Sequence, residues 1–160
     1  MSFARNKGTQ KALFSATENT PRGDEWETPA NFFRELDREF HFTLDACASE
    51  ANAKVQPFIS KQVDALTVTW RGVVWCNPPY GRDIGLWLRK GRMKAAAGAT
   101  VVFLIHARTD TRWFHEHVYH VADEIRFVRG RLKFRHSDGS TGSAPFPSML
   151  VIYKPKARTQ

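Results

Sequence analysis

The run Val73-Val74-Trp75-Cys76, followed at once by Asn77-Pro78-Pro79-Tyr80, constrains the fold more than any other stretch of the chain. The apolar, β-branched run reads as a short buried strand over 73–76. Two consecutive prolines cannot continue a sheet ladder or enter a helix interior, so residues 77–80 form a rigid loop at the strand's carboxyl end. The rest of the fold therefore has to be built around a fixed loop at the tip of a buried strand.

The flanking sequence alternates strands and helices. Thr28 before Pro29 predicts a helix start, with the threonine oxygen as N-cap and the proline at the first helical position. Phe32, Phe33, Leu36 and Phe40 follow at helical spacing. Residues 42–45 read as a strand, with the small residues Ala46, Ala48 and Ser49 directly after it. Between 49 and 69 the pattern predicts only a helical turn near Ala51 and extended pieces around Phe58 and Val63. Residues 84–97 read as a helix with Ile84, Trp87 and Leu88 on one face, stopped by Gly98. Residues 100–105 form another buried strand, and Asp110 is expected to cap a helix carrying Trp113, Phe114 and Val118. A strand over 124–128 is extended or followed by another over 130–135. The Ser-, Gly- and Pro-rich residues 137–147 read as a long loop before a last strand over 149–153.

This order predicts an α/β fold with a mainly parallel sheet. The last two strands leave no room for a helix between them, so an antiparallel hairpin is expected to end the sheet. Ligands bind such sheets beyond the carboxyl ends of the strands, where Asp45 and Asn77 both fall.

The chain of 160 residues is the size of one domain, expected over residues 24–160 behind a flexible basic arm over 1–23 that carries Arg5, Lys7, Lys11 and Arg22. Its 24 Lys and Arg exceed 16 Asp and Glu, and the net charge of +8 favours a polyanionic partner. No apolar run approaches a membrane span, so no membrane partner is expected. The N-terminus has no apolar signal-peptide core, and Cys47 and Cys76 have neither disulfide nor metal-pair spacing. A reducing cytoplasm is the expected location. His106, His115, His117 and His120 lack zinc-site spacing, so no metal is expected.

Asn77 and Pro78 offer two oxygen acceptors, a side-chain amide carbonyl and a backbone carbonyl held by flanking prolines. Such a pair can hold both hydrogens of one amino group and turn its lone pair outward. Tyr80 adds an aromatic face on which a base can stack.

Asn-Pro-Pro-Tyr after an apolar strand resembles the catalytic motif of amino-group DNA methyltransferases. The wider pattern is similar to the small phage-type DNA N6-adenine methyltransferases, through DEWETP, FTLDACAS, NAK, Asp64-Ala65-Leu66, VVWCNPPYG, ARTDTRWFH and GRLKF. The likeness runs from about Asp24 to Tyr153. It implies a Rossmann-like class I methyltransferase fold, S-adenosylmethionine as cofactor and double-stranded DNA as partner. Position by position it implies that Asn77, Pro78, Pro79 and Tyr80 are catalytic. Thr28 and Pro29 fall in a segment against the cofactor's methionine part, and Asp45, Ala46, Cys47 and Ala48 in the first cofactor loop. Asp64 falls at the next strand end, near the cofactor's adenine or ribose.

The sequence departs from the superfamily pattern in two ways. A glycine-rich FxGxG loop is absent, with Ala46, Ala48 and Ser49 in its place, and the short span from Asp45 to Asn77 implies a trimmed helix–strand unit. No large target-recognition domain fits, so DNA contacts are expected from loops. The basic candidates are Arg108, Arg112, Arg129, Arg131 and Lys133, the last three alternating with Arg135 along an extended segment. The same acceptor pair would serve N4-cytosine, although asparagine as the first motif residue leans toward adenine. A DNA-binding protein that keeps the fold without activity, an RNA substrate and a protein glutamine amide are the other readings.

Overall fold

A computed structural model of the chain describes residues 27–136 and 139–156. The expected N-terminal arm and Trp26 lie outside the described residues. Helix α1 (Ala30–Phe40) leads into strands β1 (Leu44–Ala48), β2 (Phe58–Ser60) and β3 (Val73–Cys76). Helix α2 (Ile84–Ala96), strand β4 (Thr100–His106), helix α3 (Arg112–His117) and strand β5 (Glu124–Phe127) follow. A hairpin of β6 (Lys133–Arg135) and β7 (Thr141–Ser143) precedes the last strand, β8 (Ser148–Tyr153).

Six strands form one mixed, mostly parallel sheet in the order β2-β1-β3-β4-β8-β5. Strands β2, β1, β3 and β4 run parallel to their neighbours. Strand β8 runs against both β4 and β5, so β5 points the same way as the parallel set. The antiparallel pair β8/β5 therefore ends the sheet, as the sequence leads one to expect, with β8 inserted between β4 and β5 and the β6–β7 hairpin in the connection. This arrangement is compatible with a Rossmann-like methyltransferase fold.

Strand residues divide between the two faces, and each face is covered. Val101, Phe103 and Ile105 of β4 pack on one side with Leu88 of α2 and Phe114 of α3. Val102 and Leu104 pack on the other with Phe33 and Leu36 of α1 and Phe134 of the hairpin. Burial on both faces is why β4 and β8 are continuous apolar runs without polar alternation. At the β5 edge, Arg126 clamps α1, donating to both carboxylate oxygens of Glu39 at 2.7 and 2.6 Å.

Several local expectations need correction. Strand β1 covers Leu44–Ala48 and not 42–45, so Ala46 and Ala48 lie within the strand and Ser49 directly follows it. Its pairing with β2 carries it past Asp45, with a register irregularity between Asp45 and Ala48. Val63 is exposed in a turn and adds no strand. Helix α3 begins after Thr111, with no side-chain bond at its cap, so Asp110 does not cap it. The stretch read as a loop over 137–147 contains β7, whose Thr-Gly-Ser sequence hides its pairing with β6. The four basic residues do not share one strand face. A positive φ at Gly130 breaks the segment, and only Lys133 and Arg135 lie on β6.

The link from β1 through β2 to β3 contains turns and no helix, which accounts for the short span between Asp45 and Asn77. On the opposite side, α2 lies close against β4 because Gly91 has no side chain. A Cβ there would run into the Phe103 ring, which is sealed in the core. Gly91→Val is therefore expected to lower stability by about 1–3 kcal/mol through overpacking. A urea titration checks this, as a lower midpoint at unchanged slope. An unchanged midpoint would show that the helix can lift off the strand at little cost.

Candidate active site

Residues 77–80 leave the sheet between two neighbours. Trp75 of β3 lies opposite Asp45 of β1, and Cys76 lies opposite Phe103 of β4. The sheet register thus sets Asp45 beside the Asn-Pro-Pro-Tyr loop on one side and the end of β4, at His106, beside it on the other.

The Asn77 side chain is oriented by Thr28. Its Nδ2 donates to Thr28 Oγ1 at 3.2 Å, and Thr28 is 3% exposed. This overturns the expected capping role: Pro29 takes the cap position of α1, and no side chain bonds there. The Thr28 hydroxyl faces a loop 49 residues away in sequence instead. Because the amide nitrogen faces Thr28, the amide carbonyl points away from it. The next acceptor along the chain is the carbonyl of buried Pro78, held between ring-locked backbone torsions.

A recess opens beside this loop. Thr28, Asp45, Cys47 and Ala48 line its β1 side, and Asn77, Pro78, Pro79 and Tyr80 line the other. Ala46 is fully buried in the core beneath it, and Pro29 starts α1 without lining it. Asp64 does not line it either. That residue is exposed in a turn, where its carboxylate accepts the Leu66 N–H at 3.0 Å.

The recess also includes residues that sequence reasoning did not select: Glu27, Asn52, Lys54, Lys61 and Trp75. Lys54 and Glu27 form an ion pair at 2.8 Å. Both lie within blocks that carry the family resemblance, NAK and DEWETP, so a signal for them was present.

Asp45 has only 2% of its surface exposed. Its two carboxylate oxygens accept the N–H groups of Cys47 at 3.2 Å and Lys54 at 3.0 Å. It therefore ties down the segment that leaves β1. Burial pushes its carboxyl up to about 6, against the two N–H donors and the Lys54 charge, which favour the ionised form.

Tyr80 separates this recess from a second one, which Arg82, His106, Arg108, Trp113 and Phe146 line from its other side. The Tyr80 and His106 ring centroids are 3.8 Å apart. Burial holds the Tyr80 phenol protonated well above its ordinary range. His106 is pushed down to about 4, chiefly by burial and then by the Arg108 charge.

The basic candidates are dispersed. Arg108 lies over the Phe146 ring, 5.4 Å from its centroid. Arg112 is exposed on α3 and pairs with Glu116 at 2.5 Å. Arg129, Arg131 and Lys133 are exposed and line neither recess.

Comparison with known proteins places this chain in a family. The family model described as DNA N-6-adenine-methyltransferase (Dam) matches residues 15–160. A protein of Haemophilus phage HP1 (strain HP1c1) named DNA N-6-adenine-methyltransferase is 33% identical over 146 residues, covering 87% of this chain and 84% of that protein. One of the same name from Escherichia phage T1 is 31% identical over 112 residues, covering 67% of this chain. That match spans 47% of the T1 protein.

Asp45 has a consequence for stability. Its ordinary value is 3.8 and its folded value about 6, so the folded state holds the proton more tightly. The stability it contributes is complete below pH 4 and is lost as pH rises to about 6. Relative to the parent, Asp45→Asn should gain stability between pH 4 and pH 7 by up to about 3 kcal/mol. Urea titrations at both pH values measure that change. An equal difference at both would show that the carboxyl is not raised.

Proposed function

The chain belongs to the DNA N-6-adenine-methyltransferase (Dam) family, and from that premise we propose that it moves a methyl group from S-adenosylmethionine to the exocyclic amine of an adenine swung out of duplex DNA. The observation that carries this reading is the position of Asn77 and Pro78. Both line the recess that holds a buried carboxylate, and Tyr80 of the same loop lines that recess and a second one with aromatic walls.

The chemical problem is the weak nucleophilicity of the adenine amine, whose lone pair is delocalised into the ring. Asn77 Oδ1 and the Pro78 carbonyl accept its two hydrogens, draw the nitrogen toward sp3 geometry and aim the lone pair. Thr28 anchors the Asn77 side chain by accepting its amide N–H, and the prolines restrict the second acceptor. These groups are in place before substrate arrives, so orientation supplies much of the rate. The methyl group itself comes activated, on a sulfonium supplied by the cofactor. The amine, made acidic by the transfer, would then release one proton to water.

The first recess fits that cofactor in its donor set. Asp45 and Glu27 suit a cationic amino group, and Lys54 and Lys61 suit a carboxylate. Thr28, Cys47 and Ala48 complete the wall, Ala46 supports it from below, and Pro29 sets the start of α1 beside it. Asp64 keeps the role that resemblance gives it, as an outer contact to the cofactor's adenine or ribose. Tyr80 closes the recess and presents its ring to the base, which has to leave the helical stack to reach it. Arg108 and Arg112, with Arg129, Arg131 and Lys133, contact phosphates and position the duplex. No helix among the described residues is long and apolar enough to cross a membrane. The phage relatives support action in the bacterial cytoplasm, on phage or host DNA.

Incubation with isotopically labelled cofactor and duplex DNA, followed by nucleoside mass spectrometry, tests the reading. The expected product is N6-methyladenine, and label in N4-methylcytosine alone would contradict it. Asn77→Ala should lower turnover by about 100-fold or more, with cofactor affinity unchanged. Full activity in that variant would remove the acceptor pair from the mechanism.

A further inference from the structure

We propose that His106 reads the ring edge of the target adenine, donating a hydrogen bond to a ring nitrogen beside the amine. This rests on the reading above and names the residue that gives the base pocket its chemical specificity.

His106 ends β4, the strand next to the one that carries Asn77. Its ring contacts two others, 3.8 Å from Tyr80 and 4.7 Å from Phe146 by centroid. All three line the recess beyond Tyr80. Arg108 packs over the outer ring, so the imidazole sits beneath an aromatic and cationic cover.

Within that clamp, His106 Nε2 is buried and has no hydrogen-bond partner among the described residues. A buried polar atom without a partner is unfavourable, and burial selects for a ligand that supplies one. The recess has aromatic walls suited to a planar base. A base held by its amine at Asn77 and Pro78 brings the nitrogens flanking that amine to the same end of the site.

The protonation state suits the task. Burial, and then the Arg108 charge, keep the imidazole neutral at physiological pH. A neutral ring can carry its proton on Nε2 and donate it to an acceptor. It also adds no positive charge beside the sulfonium that the neighbouring recess is proposed to hold. In adenine the amine is flanked by N1 and N7, both acceptors. In cytosine one of the two flanking positions is a C–H. A donor aimed at N7 would therefore also favour adenine over cytosine.

The test is a cycle of protein and base variants on the full chain. The substrate is a duplex that the parent methylates, carrying adenine, 1-deazaadenine or 7-deazaadenine at the target position. His106→Phe keeps the aromatic stack and removes the N–H, whereas His106→Gln keeps a donor. On adenine, kcat/KM of His106→Phe should fall by about 10- to 100-fold. On one of the two deaza substrates the same substitution should cost nothing further, and His106→Gln should recover part of the loss on adenine. Unchanged cofactor affinity by calorimetry shows that His106→Phe is folded. An equal loss on all three substrates, or no loss on adenine, overturns the inference. If the parent methylates no adenine at all, the reading under Proposed function fails instead, so the two failures are distinguishable.

Discussion

The direction of one carbonyl pair at the end of β3 is the constraint on which the site depends. Asn77 donates its amide N–H to Thr28 Oγ1, which leaves its carbonyl turned away from that residue. The Pro78 carbonyl cannot turn because proline torsions flank it. Both are anchored to a strand held on each side, by β1 and by β4, and buried in the sheet interior. The precision of the site thus derives from sheet packing more than from any single contact in the loop. Even the close approach of Gly91 to Phe103 contributes, since it sets how tightly α2 lies against the strand beside β3.

Electrostatics divides the two recesses that meet at this loop. On the β1 side a buried carboxyl is poised near neutrality, tied by two backbone N–H groups to the segment after the strand. On the β4 side Tyr80 and His106 are both kept uncharged by burial. The first recess thus carries charges of both signs, from Glu27, Asp45, Lys54 and Lys61, and the second is walled by aromatic rings with Arg82 and Arg108 at its lining. Tyr80 lines both, so one residue separates the two environments and closes each.

Much of this was legible in the sequence because its signals are local. Strands β3, β4 and β8 stand out as continuous apolar runs, since both faces of the sheet are covered. Helix α2 shows its apolar face and its glycine stop, and the Asn-Pro-Pro-Tyr loop states its own rigidity. What failed was non-local. Thr28 reads as a helix cap because nothing nearby reveals that its hydroxyl serves Asn77. The extent of β1 is hidden because small residues resemble a turn until β2 pairs with them. Strand β7 is masked by a composition typical of loops, and its partner β6 supplies the missing information. Lys54 and Glu27 lie inside quoted motifs, yet their pairing across the recess needs three dimensions. Phe146 was read as loop and sits against His106 in the second recess.

The most direct measurement is a crystal structure of the protein with duplex DNA and a non-reactive analogue of the cofactor. The target adenine should lie outside the helical stack, with its amine nitrogen about 2.7–3.2 Å from both Asn77 Oδ1 and the Pro78 carbonyl oxygen. The sulfur of the analogue should face the same nitrogen from the Asp45 side. An adenine seated with its amine away from those two oxygens, or an analogue bound in the recess beyond Tyr80, would contradict the mechanism.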